Sequence, residues 1–347
     1  MTEHLPEGKV PLTAGKLKGL RAVSTERRVI AALALDQRGS LADLMTKASG
    51  QSPSRAMLEE FKSTVTGALA PYASGILLDL EYGKRAISLR APKTGLLLTY
   101  EMNAYVNRSP HRPPQLIPGL SVKRLKENGA AGVKVLIHYA SHAPEETNDA
   151  KRAFVERVGA ECAAEDIPFF LEVVGYDGDG TGPASPGYAR RKPEIVIHNM
   201  REFSRPRYQV DVLKIEFPVD LKHTSGIRSF TGQAAYSRQE ALDAFRQSAA
   251  ASSKPFIYLS AGVTHAEFVE GLYLAGEASV PFSGVLCGRA IWQEGAAVYA
   301  RQGTAALEKW LEVGIQNIQA VNECLRSAHP WKAADLPENE ILDSAPA

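Results

Sequence analysis

At 347 residues with a formal charge of +1, the chain carries no net field with which to gather nucleic acid or an anionic membrane. Apolar residues at 44% and charged residues at 23% are the balance of a soluble globular protein, which excludes a disordered chain. The longest apolar runs, such as 29–35, fall well short of the ~20 residues of a membrane span, and the first twenty residues hold no apolar signal core.

Read in chain order, the sequence opens on an arm, 1–24, expected to be loosely ordered. Short aliphatic and β-branched runs then recur at 29–35, 75–80, 96–101, 132–139, 169–175, 212–217, 256–260 and 283–287. Between them lie segments such as 55–69, 149–164, 238–251 and 265–276, where apolar residues return every three or four positions. Eight such alternations, with no GxGxxG after the first strand, predict a single-domain α/β fold, a (β/α)8 TIM barrel over 25–326. The stretches 107–118 and 178–187 read as long loops on the catalytic face, and 327–347 as a loose tail. Three scattered cysteines, Cys162, Cys287 and Cys324, form no CxxC pair and suit a reducing, cytoplasmic compartment.

Core strands should be apolar, so charge near their C-terminal ends is informative. The strands offer Asp36, Asp79, Glu81, Glu101, Lys134, His138, Glu172, Lys214 and Glu216 in turn. Lys214 sits in Val-Leu-Lys-Ile-Glu, where the two-residue period places it opposite Leu213 and Ile215. A buried lysine is a candidate Schiff-base nucleophile, provided that desolvation or a second cation brings such an amine from about 10.4 toward about 7 to 8. Lys134, two strands away, is the candidate second cation; equally, each lysine could simply pair with a glutamate as a structural ion pair. Glu172 stands alone among Phe-Phe-Leu and Val-Val, the setting of a general acid/base or of a salt bridge to either lysine.

Ser-Ala-Gly at Ser260 to Gly262 and Gly-Arg at Gly288 and Arg289 put small residues and a forked guanidinium where many barrels hold phosphate; tight packing is the alternative. The eight histidines form no cluster at strand ends, which speaks against zinc, while Asp36, Asp79 and Glu81 remain a candidate magnesium set.

Several motifs carry a resemblance. Ala-Leu-Asp-Gln-Arg-Gly around Asp36, Glu-Tyr-Gly at Glu81, Thr-Gly-Leu-Leu-Leu at Thr94 and Ser-Val-Lys-Arg-Leu-Lys at Ser121 resemble the tagatose 1,6-bisphosphate aldolase family. So do the stretch ending at Glu172, Val-Leu-Lys-Ile-Glu, Tyr-Leu-Ser-Ala-Gly-Val and Ser-Gly-Val-Leu-Cys-Gly-Arg-Ala, in the order of the eight strands from Arg28 to Leu325. The resemblance implies a class I aldolase that needs no metal or cofactor. In it Lys214 forms an iminium with a phosphorylated ketose, Glu172 is acid/base, and Asp36, Gln37 and Lys134 surround the reacting carbons. Ser260, Gly262, Gly288 and Arg289 match the site of the phosphate nearest the ketone.

Leu80 replaces a proline common in that family, His138 replaces a common aromatic, and the two long loops look unlike typical members. These departures bear on the far end of the sugar, so fructose 1,6-bisphosphate and 6-deoxy-6-sulfofructose 1-phosphate stand beside tagatose 1,6-bisphosphate as expected substrates. A non-catalytic sugar-phosphate sensor is the reading from another class, opposed by the retention of Lys214, Glu172 and Lys134 together. The expected partner is a phosphorylated ketose, with no nucleic acid or membrane; homo-oligomerisation is left open.

Overall fold

The computed structural model describes residues 12–102, 113–176 and 185–332. Eight parallel strands close into a barrel: β1 (Ile30–Ala34), β2 (Gly75–Leu78), β3 (Gly95–Thr99), β4 (Gly132–Tyr139), β5 (Phe169–Gly175), β6 (Val212–Ile215), β7 (Phe256–Tyr258) and β8 (Gly284–Cys287). Each pairs with its neighbours in sequence, and β8 pairs back onto β1 through Ile30 and Gly284. The expected barrel is the observed one. Most strands are shorter than the sequence runs; after β2 and β6 the next residues, Asp79 and Glu216, spend their carboxylates on the Glu81 and Tyr82 amides and on the Gly175 N–H.

The wall is covered by α1 (Ala14–Ala22), α2 (Gly39–Ser49), α3 (Arg55–Leu69), α4 (Lys84–Leu89), α5 (Val122–Glu127), α6 (Glu145–Ala164), α7 (Pro186–Phe203), α8 (Arg238–Ala250), α9 (His265–Glu277), α10 (Arg289–Gln302) and α11 (Thr304–Cys324). Local chemistry sets their starts. Ser54, Ser121 and Ser185 accept a backbone N–H at three of them, and Ser237 with Glu240 and Thr264 with Glu267 form complete capping boxes. Helix α6 starts ahead of the expected segment, because Glu145 and Glu146 favour the positive end of a helix. One apolar layer lies between barrel and helices; a second, with Ile30, Ala32, Leu77, Leu97, Phe170, Val212, Ile257 and Leu286, fills the interior at the base.

Both ends of the domain depart from expectation. Within the arm α1 forms, and Leu20 and Val23 pack on the interior layer, joined by Trp331 from the tail. Trp331 donates its backbone N–H to Arg28 O at 3.0 Å and its indole N–H to Ser24 Oγ at 2.9 Å. An open barrel base exposes apolar side chains, and covering it orders segments that look soluble in one dimension. The expected loops at 107–118 and 178–187 lie largely outside the described residues.

Candidate active site

Two residues beyond the interior-filling Phe170 and Val212, on the same strand faces, come Glu172 and Lys214; Lys134 stands likewise beyond Gly132. The parallel register sets Leu136 beside Glu172 and Glu172 beside Lys214, so a carboxylate on the middle strand stands between lysines from its two neighbours. Glu172 Oε2 is 2.8 Å from Lys134 Nζ and 2.9 Å from Lys214 Nζ. One oxygen thus serves two amines. Lys134 also donates to Asp36 Oδ2 at 2.9 Å and to Glu101 Oε1 at 2.8 Å. All five side chains are buried.

The two lysines are therefore unequal. Lys134 is held by three carboxylates, whereas among the described residues Lys214 has one ion-pair partner, Glu172. Burial disfavours the Lys134 cation, but Asp36, Glu101 and Glu172 hold it well above its ordinary value. Burial likewise works against the carboxylates. Lys134 and Lys214 overcome it at Asp36, which falls to about 2, and at Glu172, which also falls below its ordinary range. At Glu101 burial wins over Lys134, and the carboxyl is pushed up.

A second group lies at the ends of β7 and β8. After Ser260 the chain turns through Ala261 and Gly262 at φ 48° and 81°, a left-handed pair that favours glycine. A Cβ on Gly262 would stand 2.9 Å from the Arg289 Cζ, so only hydrogen lets the guanidinium lie against this turn. Gly288 is equally confined: its Cβ would meet Ala34 O at 2.5 Å, with Gln37 Nε2 3.2 Å away. Helix α10 begins at Arg289 with no side-chain cap, leaving first-turn N–H groups and a positive charge together, a setting for an anion. Gln37 Oε1 is buried with no hydrogen-bond partner among the described residues.

All nine residues singled out from sequence for catalysis or substrate binding fall into these two groups. The candidate magnesium set does not assemble: Asp36 serves Lys134, Asp79 pairs with Lys62 and caps the Glu81 and Tyr82 amides, and Glu81 is exposed, 4.0 Å from Arg38. Glu216 accepts the Gly175 N–H at 2.8 Å and lies 3.6 Å from Lys192. Burial and Lys151 push His138 down to about 4, against the pull of Glu172. Sequence reasoning noted Glu101 as a strand-end charge but left it out of the site; its spacing from Thr99, two residues on the same face, was the available signal. It also missed Arg38, whose Nη2 donates to Glu101 O at 2.8 Å.

Chemistry-bearing side chains gathered at the C-terminal ends of closed barrel strands mark the class: this is a (β/α)8-barrel enzyme. A family model described as DeoC/LacD family aldolase matches residues 30–294. The chain is 47% identical over 324 residues to a tagatose 1,6-diphosphate aldolase of Listeria monocytogenes, covering 93% of this chain and 95% of the relative. It is 43% identical over 322 residues to the tagatose 1,6-diphosphate aldolase of Lactococcus lactis, covering 92% and 98%. Among solved structures, a fructose-bisphosphate aldolase of Plasmodium falciparum superposes with a TM-score of 0.68 at 13% identity, over 95% of this chain and 99% of the other; at that identity the likeness shows the fold. The chain belongs to the DeoC/LacD family of aldolases, and its activity is that of a carbon–carbon lyase.

Proposed function

We infer that this aldolase works by the class I route, with Lys214 as the Schiff-base lysine, and cleaves D-tagatose 1,6-bisphosphate to dihydroxyacetone phosphate and D-glyceraldehyde 3-phosphate. The observation that carries the lysine assignment is the unequal sharing of Glu172: among the described residues Lys134 is locked by three carboxylates and Lys214 is held by one. A nucleophilic amine must shed its proton, and Glu172, in contact with both amines, is the group placed to receive it. The names of the curated relatives support the substrate.

On this reading the Lys214 amine attacks the ketone carbon, and Glu172 protonates the departing oxygen so that water leaves and an iminium forms. The iminium then accepts the electron pair of the carbon–carbon bond as it breaks, while a carboxylate of the cage takes the proton of the neighbouring hydroxyl. Lys134 remains a fixed cation that keeps Asp36 and Glu172 in place. Gln37, Ser260, Gly262, Gly288 and Arg289 hold the phosphate nearest the ketone. The chemistry calls for no metal ion or cofactor. The buried, unpaired cysteines fit a cytoplasmic enzyme.

Covalent trapping tests the assignment. Borohydride added with dihydroxyacetone phosphate under saturating EDTA should inactivate the enzyme and leave an adduct mapped by mass spectrometry to Lys214, whereas borohydride alone should not. Lys214→Ala should abolish the adduct. An adduct on Lys134, or none on folded enzyme, would overturn the reading. Turnover of tagatose, fructose and sulfofructose phosphates side by side tests the substrate.

A further inference from the structure

We propose that Glu101 is a positioning residue for the reaction, acting through Lys134 and tying the reactive cage to the segment at Leu116. The proposal rests on the reading of Lys214 and Glu172 given above.

The geometry has two halves. On the side-chain half, Glu101 Oε1 accepts from Lys134 Nζ at 2.8 Å, and Oε2 accepts from the Thr99 hydroxyl at 2.6 Å, so both oxygens are fixed. Lys134 in turn touches the same Glu172 oxygen that meets Lys214, so Glu101 stands two contacts behind the amine proposed to react. On the backbone half, Glu101 bridges Leu116 in antiparallel fashion, and flanking bonds run from Met102 N to Gln115 O at 2.7 Å and from Ile117 N to Tyr100 O at 3.0 Å. Arg38 Nη2, at the start of α2, donates to the Glu101 carbonyl at 2.8 Å. One residue therefore fastens the cage lysine, the segment at Leu116 and the β1–α2 turn that carries Asp36 and Gln37.

Charge gives this fastening a chemical consequence. Three carboxylates, Asp36, Glu101 and Glu172, crowd around Lys134 in a buried pocket, where each ionised carboxylate is costly. The charged and titratable groups facing Glu101 are Lys134 on β4, Asp36 after β1 and Arg38 at the start of α2, with Thr99 beneath it on β3. Asp36 and Glu172 are driven down by the lysines, while Glu101 is driven up by burial. As pH falls, Glu101 is the cage member that takes up a proton first. Lys134 then loses one of its three partners and leans on Glu172 and Asp36, competing with Lys214 for the oxygen they share. The acidic limb of the turnover profile therefore follows Glu101.

Glu101→Gln keeps size and one acceptor oxygen but cannot titrate. It should lower kcat by roughly 10- to 100-fold, the range seen when partners that orient metal ligands are removed. KM should change little, and the acidic limb of kcat against pH should flatten. Borohydride trapping on Lys214 should still run to completion in the variant, which tells the two failures apart: no adduct in the wild type overturns the lysine assignment, and an unchanged turnover profile in the variant overturns this proposal alone. Should Glu101→Gln fail to fold, Thr99→Val, which frees Oε2 alone, should displace the same limb. Wild-type kcat together with a wild-type pH profile in the folded variant overturns the proposal.

Discussion

Buried lysines in two places near the C-terminal ends of the barrel strands make different use of the same ion-pair chemistry. Lys62, fully buried on α3, meets one carboxylate, Asp79, and also donates to Leu35 O at 2.8 Å; Asp79 spends its other oxygen on the Glu81 and Tyr82 amides. Every charge there has a dedicated partner, and the pair clasps α3 to the turn after β2. In the cage of Lys134 and Lys214, by contrast, Glu172 is shared by two amines and three carboxylates converge on Lys134. Balanced pairing makes a clasp. Shared pairing makes protons transferable, because moving one changes the partner of the next.

The contrast is open to direct attack. Glu172→Gln removes the shared acceptor and should lower kcat by about 10² to 10⁴ with the barrel still folded, measured by steady-state turnover beside thermal unfolding. Near wild-type turnover would reduce Glu172 to a structural partner. Lys62→Met should do the reverse: it strands Asp79 and should cost about 3 to 5 kcal/mol in denaturant unfolding, with kcat of the remaining folded enzyme nearly unchanged. A loss of kcat matching that of Glu172→Gln would erase the distinction.

Arg289→Ala should raise KM about 10- to 100-fold, since a charge-assisted hydrogen bond to an anion contributes about 1.5 to 3 kcal/mol. Unchanged KM and kcat would move the phosphate elsewhere. The smallest effect concerns acid. Asp36 is lowered from 3.8 to about 2, so its contribution to stability is present above pH 4 and is lost as pH falls toward about 2. Asp36→Asn should therefore flatten part of the acid limb of unfolding, a change on the order of 2 kcal/mol. An unaltered limb would show that Asp36 gains nothing from Lys134.

Much of this was legible in one dimension. Alternating aliphatic and helical segments announced eight strands, and lysine or glutamate inside an apolar run marked Lys134, Glu172 and Lys214 before any contact was known. The sharing of one oxygen was not legible, because it depends on the register of β4, β5 and β6, which no single strand encodes. Glu101 was visible as a charge yet not as a cage member, since its partner lies on the next strand. Helix α1 escaped for another reason. Its sequence, AGKLKGLRA, has two lysines and few apolar residues, and what orders it is the barrel base above, with Lys16 pairing Asp211 at 2.9 Å.

The covered base has a consequence for how the chain assembles. Leu20 and Val23 precede the first strand and Trp331 follows the last long helix, yet they meet in one apolar layer beneath the strands. Contacts so distant in sequence close late, because the entropy of the intervening loop must be overcome before they form. A barrel already ringed by its eight strands would thus keep an unsealed floor until the segment at Trp331 docks. Trp331→Ala should leave the Michaelis parameters alone and hasten unfolding, as expected for a contact formed after the folding barrier; a slowed folding rate with unchanged unfolding would place the seal before it.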